Sequence, residues 1–186
     1  ARDPRWGRVT ETYGEDAALT SAMASAFVRG IQTDDLREGI AATAKHYVGH
    51  GITEGGINMG RNMVSPRDLK EIHCKPFQSA ITEAGMRGVM CSYCSMNGEP
   101  VVASKRLLTD ILRDEMGFEG IVVSDYVAVD RLVDPFCVAD SFEKAGNLAI
   151  QAGLDVEYPR PKGFTYQMKD AVEAGELPME VIDRAV

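Results

Sequence analysis

The sequence predicts an α/β fold in which a parallel sheet of short strands is covered by helices, and three observations carry that expectation. Short apolar runs alternate with longer stretches whose apolar residues recur every three or four positions. The strand-like runs are nearly continuous in apolar and small residues, as strands buried on both faces require. A composition of 45% hydrophobic and 26% charged residues over 186 positions can bury a substantial core.

Asp16 to Ile31 reads as a first helix, with Leu19, Ala22, Met23, Ala26, Phe27 and Ile31 on one inward face. "GIAATAKHY" is too short for a helix and rich in small and β-branched residues, so it reads as a strand. Ser65, Pro66 and Asp68 supply a cap, a first-position proline and a first-turn acid for a helix through Leu69, Ile72, Phe77, Ala80 and Ile81. Pro76 should kink or divide it. There follow a strand "RGVMCSY", a capped amphipathic helix "SKRLLTDILRDEMG", a strand "GIVVSD", a helix "SFEKAGNLAIQAG", a strand "LDVEYP" and a last helical stretch from Tyr166 to Ala174. An open doubly wound sheet and part of a (β/α)8 barrel both satisfy this alternation. No G-x-G-x-x-G follows any strand, which disfavours a dinucleotide-dependent oxidoreductase.

Twenty-eight acidic against twenty basic residues give a net charge of −8 without basic runs, which argues against nucleic-acid or anionic-membrane partners. No apolar stretch approaches the roughly 20 residues of a membrane span, and "ARDPRWGR" is unlike a signal peptide, so cytoplasmic and secreted locations both stay open. Because the chain opens directly on a loop, it reads as a cut into a larger protein. Cys91 and Cys94 form a C-x-x-C without a second ligand pair, and all four cysteines are expected as reduced, packed thiols.

Each predicted strand ends in polar or reactive groups: Lys45 and His46, Ser92 and Tyr93, Ser124 and Asp125, Asp155 and Glu157. In a parallel barrel these ends share one rim and should converge on a pocket. A carboxylate beside Lys, Arg, His and Tyr suits glycoside hydrolysis, in which one carboxylate attacks the anomeric carbon and a second carboxyl group protonates the leaving oxygen. Neighbouring cations would keep the attacking carboxylate ionised.

"ARDPRWGRVTETYGED", "AKHYVGHG", "VMCSYCSMNGEP", "LLTDILRDEMGFEGIVVSDY" and "AGLDVEYP", in this order, closely resemble the barrel domain of glycoside hydrolase family 3. The resemblance implies an incomplete (β/α)8 barrel of parallel strands with outer helices over residues 1–186, the first strands and an acid/base-bearing C-terminal domain lying outside. It implies a retaining β-glycosidase acting on terminal β-D-glucosyl or β-D-xylosyl residues, with a β-linked oligosaccharide or glycoside as partner and no cofactor or metal. By the same resemblance Asp125 is the nucleophile, and Arg8, Lys45, His46, Met90 and Tyr93 bind the sugar. Trp6 either lines the rim or packs beside Pro4, and Tyr126 stands where many members carry tryptophan. "KHYVGHG" is also similar to the β-N-acetylhexosaminidase branch, but "ITEGGINMGR" lacks that branch's Asp-His dyad. His50 is therefore expected to pack in a loop without a partner, since Gly49 and Gly51 argue against a helix that would make His46 and His50 a metal pair. Glu54 is expected as a rim residue rather than the acid. The alternative of a different class is a sugar-binding relic without turnover, and open strand edges leave room for pairing with another copy.

Overall fold

The computed structural model describes all residues from Ala1 to Val186. Three parallel strands form its centre: β1 (Thr43–Tyr47), β3 (Gly88–Cys91) and β6 (Ile121–Val123), in the order β1-β3-β6. Thr43 lies opposite Gly88, and Gly88 opposite Ile121, so the three strands run level and end at the same rim. They form an open arc of parallel α/β layers rather than a closed barrel. No helix is long and apolar enough to cross a membrane.

The predicted strand "LDVEYP" is reduced to one bridge between Val123 and Val156. Its neighbour Asp155 places a side-chain oxygen where a ladder carbonyl would stand, and the Val122 N–H donates to Asp155 Oδ2 at 2.8 Å. The same oxygen receives Arg113 Nη2 at 2.5 Å, while Arg184 Nη2 lies 3.7 Å from the other oxygen. Asp155 thus joins the sheet to the helix Arg106–Glu115 and to the last helix of the chain. Glu157, also expected to face a pocket, instead accepts from the backbone N–H groups of Lys162, Gly163 and Phe164 at 3.1, 2.9 and 2.7 Å. It organises a loop that packs tightly on the helix α4 (Phe142–Ala152), where a Cβ at Gly146 would come within 2.5 Å of the Gly163 carbonyl.

Helix α1 (Ala17–Gln32) forms as expected, with Asp16 capping it through a 2.6 Å bond from the Leu19 N–H. Its buried face is not the expected one. Ser21, Ser25, Val28 and Gln32 point inward, while Leu19, Met23 and Phe27 are exposed. Small residues allow α1 to lie close against α3 (Lys75–Ala84), and the Gln32 amide then ties the two helix ends to the sheet. Its Oε1 accepts from the Ala42 N–H at 3.0 Å, and its Nε2 donates to the Gly85 carbonyl at 3.1 Å.

Pro76 divides its helix as predicted. One turn, α2 (Pro66–Asp68), leads into a wide π-type turn at Leu69–His73 before α3, with the Cys74 N–H donating back to the Leu69 carbonyl. Proline supplies no N–H and crowds the preceding turn, and the wider turn absorbs that mismatch. The helix Arg106–Glu115 follows with Ser104 Oγ as its cap, then α4 with Ser141 as its cap, α5 (Gln167–Glu173) and the unpredicted α6 (Met179–Ala185).

A second, small sheet was also absent from the expectation: β2 (Arg61–Asn62) pairs parallel with β4 (Ser95–Met96), which pairs antiparallel with β5 (Glu99–Pro100). Asn97 and Gly98 between β4 and β5 both have positive φ, the conformation that Asn-Gly favours in two-residue hairpins. The Asn97 side chain clamps Val64 from both sides, accepting from its N–H and donating to its carbonyl.

The core is aliphatic around the sheet, with Leu69, Val89, Leu107, Leu108, Leu112, Val122, Leu132 and Leu154 buried. Tyr47 joins it fully, its hydroxyl donating to the Leu107 carbonyl at 3.0 Å. Cys74, Cys91 and Cys94 are free and buried as expected, whereas Cys137 is exposed.

Breaking the Asp155 cluster leaves the Arg113 guanidinium in a mostly buried position without its carboxylate. Asp155→Ala is expected to cost about 3–5 kcal/mol, against less than about 1 kcal/mol for Lys144→Ala, whose partner Asp140 is solvated. Urea unfolding of the two variants checks this, and equal losses would contradict it.

Candidate active site

The strand ends place Lys45, His46, Met90, Tyr93 and Asp125, and the N-terminal loop places Arg8, around one cavity of about 670 Å³, together with Thr43, Val123, Tyr126, Val156 and Tyr158. Four expected members do not reach it. Ser92 Oγ donates to the Val48 carbonyl, and Ser124 Oγ accepts from the Tyr158 N–H at 2.8 Å. Asp155 and Glu157 are committed as described above.

Adjacent residues on a regular strand face opposite ways, yet Lys45 and His46 both line the cavity. An irregularity makes this possible: Lys45 pairs with Met90 but Tyr47 with the very next residue, Cys91, so His46 is the extra residue of a bulge.

Asp125 follows β6 and is nearly buried, its side chain 10% exposed. Oδ1 accepts from Tyr93 Oη at 2.8 Å and from the Tyr126 N–H at 2.7 Å. Oδ2 lies 3.2 Å from His46 Nε2 but has no well-aligned donor. One oxygen is therefore anchored by two donors, and the other is buried beside the His46 ring. Burial pushes this carboxyl up, but the His46 ring, the Tyr126 N–H and the Tyr93 hydroxyl together outweigh it and hold Asp125 below its ordinary value. Burial and the bond to Asp125 push Tyr93 the other way, so it remains a protonated donor. Behind the Tyr93 ring stands Arg131, whose guanidinium carbon lies 5.9 Å from the ring centroid.

A second layer of charge adjoins His46, whose Nε2 lies 3.4 Å from Arg8 Nη2. Arg8 grips Glu11 through two bonds, at 2.6 and 2.7 Å, and Glu11 also lies 3.7 Å from Lys45 Nζ. The Arg8 guanidinium holds Glu11 down to about 2, so this carboxylate is committed as an ionised bridge between two cations. Glu54 is exposed and pairs with Arg61, outside the cavity.

The sequence reading of His50 as an unpartnered loop residue is overturned. His50 is buried, its Nε2 lies 3.0 Å from Arg8 Nη1 and 3.0 Å from Asn58 Oδ1, and its ring stacks on His46 with centroids 4.2 Å apart. Trp6, also buried, meets the His50 ring edge-on at 5.4 Å. The glycines that ruled out a helix create this contact. Gly49 adopts φ 81° and turns the chain so that His50 returns beneath His46. The available signal is the spacing of four between the two histidines, which a left-handed turn at Gly49, rather than a helix, converts into a stack.

Comparison with known proteins places this geometry. The family profile described as glycosyl hydrolase family 3 N terminal domain matches residues 1–186. A β-xylosidase of Formosa agariphila is 40% identical over 195 residues, covering 100% of this chain and 27% of the relative. A periplasmic β-glucosidase of Salmonella typhimurium is 34% identical over 187 residues, covering 100% of this chain and 24% of the relative. The crystal structure of a β-glucosidase from Listeria innocua superposes with a TM-score of 0.94 at 33% identity, covering 100% of this chain and 26% of that one. The chain therefore spans about a quarter of the length of these relatives.

His50 also predicts a pH dependence. Burial, then the nearby His46 and Arg8 charges, lower it to about 4 from an ordinary value of 6.5. The unfolded chain binds a proton below 6.5 that the native state refuses until about 4, so stability falls as pH drops through this window. The loss approaches about 3 kcal/mol by the acid end. Thermal melts across pH 4 to 7 should show a shallower acid decline for His50→Gln than for the wild type, and parallel profiles would contradict the shift.

Proposed function

Because the chain belongs to glycosyl hydrolase family 3, we propose that it is the site-bearing part of a retaining β-glycosidase acting on terminal β-D-xylosyl or β-D-glucosyl residues. The observation that carries this reading is the state of Asp125: nearly buried, ionised, anchored through Oδ1 by two donors and set in the wall of a cavity shared with Arg8, Lys45 and His46. The names of the relatives, β-xylosidases and β-glucosidases, support the same substrate class.

In the first step the Asp125 carboxylate attacks the anomeric carbon while the glycosidic C–O bond breaks and the leaving oxygen takes a proton. The product is a glycosyl ester on Asp125. In the second step water attacks the same carbon, gives up a proton to a base and releases the sugar with its configuration retained. Tyr93 and the Tyr126 N–H hold the carboxylate in line, and its depressed pKa keeps it a weak base and a good leaving group. Arg8, Lys45 and His46 supply donors for sugar hydroxyls at a charge-assisted strength.

The proton donor must come from elsewhere. Asp125 is the sole carboxyl group lining the cavity, Glu11 is locked ionised by Arg8, and Asp155 and Glu157 are spent on arginines and backbone N–H groups. We place the acid/base carboxyl on a further domain of the parent protein, and no cofactor or metal enters the scheme.

Two measurements on the full-length parent test this assignment. A 2-deoxy-2-fluoro glycoside should accumulate as an ester on Asp125, located by mass spectrometry of the labelled peptide; a label on any other residue sinks the nucleophile. Lys45→Ala should lower kcat/KM by about one to two orders of magnitude, the worth of one or two charge-assisted hydrogen bonds. Unchanged kinetics would remove Lys45 from the sugar site.

A further inference from the structure

We infer that His50 is a positioning residue of this site: as a neutral acceptor and a flat stacking surface, it fixes the Arg8 guanidinium and the His46 ring in the orientation that meets the sugar. The inference rests on the proposed glycosidase reading and deepens it.

The geometry leaves His50 a narrow choice of state. A guanidinium has donors and no acceptor, so Arg8 Nη1 at 3.0 Å makes His50 Nε2 the acceptor and leaves the ring proton on Nδ1. A protonated imidazole would set two donors and two positive charges against one another in a buried place. Asn58 Oδ1, 3.0 Å from the same nitrogen, lies 3.5 Å from Arg8 Nη1, so the Arg8 N–H is shared between the two acceptors. Glu11 holds Arg8 through Nε and Nη2, and His50 holds it through Nη1, so the planar fork is gripped on two edges. Arg8 loses little freedom on binding a substrate because it has already lost it in folding.

The ring face does the second part of the work. His46 is the bulged residue of β1 and lacks the ladder position that would orient it. Stacking at 4.2 Å with an interplanar angle of 24° supplies a wall on one side of the His46 ring. Trp6, edge-on at 5.4 Å, stops His50 from moving away. Gly49 allows no larger residue here, since a Cβ would meet the Met96 side chain at 2.6 Å and Asn62 Nδ2 at 2.9 Å. A residue that merely filled space would need neither an acceptor aimed at Arg8 nor a face parallel to His46.

The test uses the full-length parent and aryl β-xylosides and β-glucosides. His50→Phe keeps the volume and the face but removes the acceptor; it should raise KM about tenfold with kcat changed less than about threefold. His50→Gln restores an acceptor and should recover a large part of that KM. The Arg8→Ala, His50→Phe double variant should match Arg8→Ala alone to within about threefold, because His50 acts through Arg8. Multiplying effects in the double variant, or an unchanged KM in a folded His50→Phe protein, would overturn the inference. If His50→Phe does not fold, imidazole ¹⁵N spectra of the wild type decide: an unprotonated Nε2 that shifts in Arg8→Ala supports the inference, and a protonated Nε2 overturns it. A wild-type parent that hydrolyses none of these glycosides would overturn the proposed function itself, and the positioning role with it.

Discussion

Parallel pairing of β1, β3 and β6 is the constraint on which the rest depends. Parallel hydrogen bonding runs all three chains in one direction, and the level register brings their C-terminal ends to a common rim. Lys45 and His46, Met90 and Tyr93, and Asp125 are distant in sequence, yet the ladder sets them around one cavity. Each strand is short, so the first residues beyond it already belong to the rim. The bulge in β1 adds a refinement, since it turns two consecutive residues toward the same space.

Buried carboxylates in this protein do three different jobs, and the donors around each one decide which. Glu157 receives three backbone N–H groups and becomes the anchor of a loop. Asp155 receives an arginine and a sheet N–H and becomes a structural joint. Asp125, anchored through Oδ1 by Tyr93 and the Tyr126 N–H, is the one of the three that lines the cavity. A carboxylate bound to backbone or arginine away from any cavity contributes to folding; one that stays ionised in a cavity wall is available to ligand chemistry.

Packing around the sheet obeys shape as much as hydrophobicity. On α1 the larger apolar residues Leu19, Met23 and Phe27 lost the buried face to Ser21, Ser25, Val28 and Gln32, because the close approach to α3 favours small side chains and gives Gln32 backbone partners. On the site side, the glycines around His50 serve the same end, letting a loop approach closely enough for two imidazoles to stack.

The sequence by itself determined the alternation of parallel strands and helices, the capped starts at Ser65 and Ser104, the break at Pro76, and the strand end carrying Asp125. These follow from local rules of periodicity, capping and proline sterics that act within a few residues. The Asn97-Gly98 hairpin is equally local, its turn set by two adjacent residues with positive φ. Only the tertiary structure decided that His50 belongs with Arg8 and His46, that Asp155 and Glu157 turn away from the cavity, and which face of α1 is buried. Most of those outcomes depend on donors and surfaces contributed by distant segments, such as Arg8 for His50 and Arg113 for Asp155, and on the space left between packed elements, while Glu157 takes its donors from the loop at residues 162–164. Spacing along the chain encodes neither, because a side chain's role is set by the partners that folding brings within about 3 Å of it.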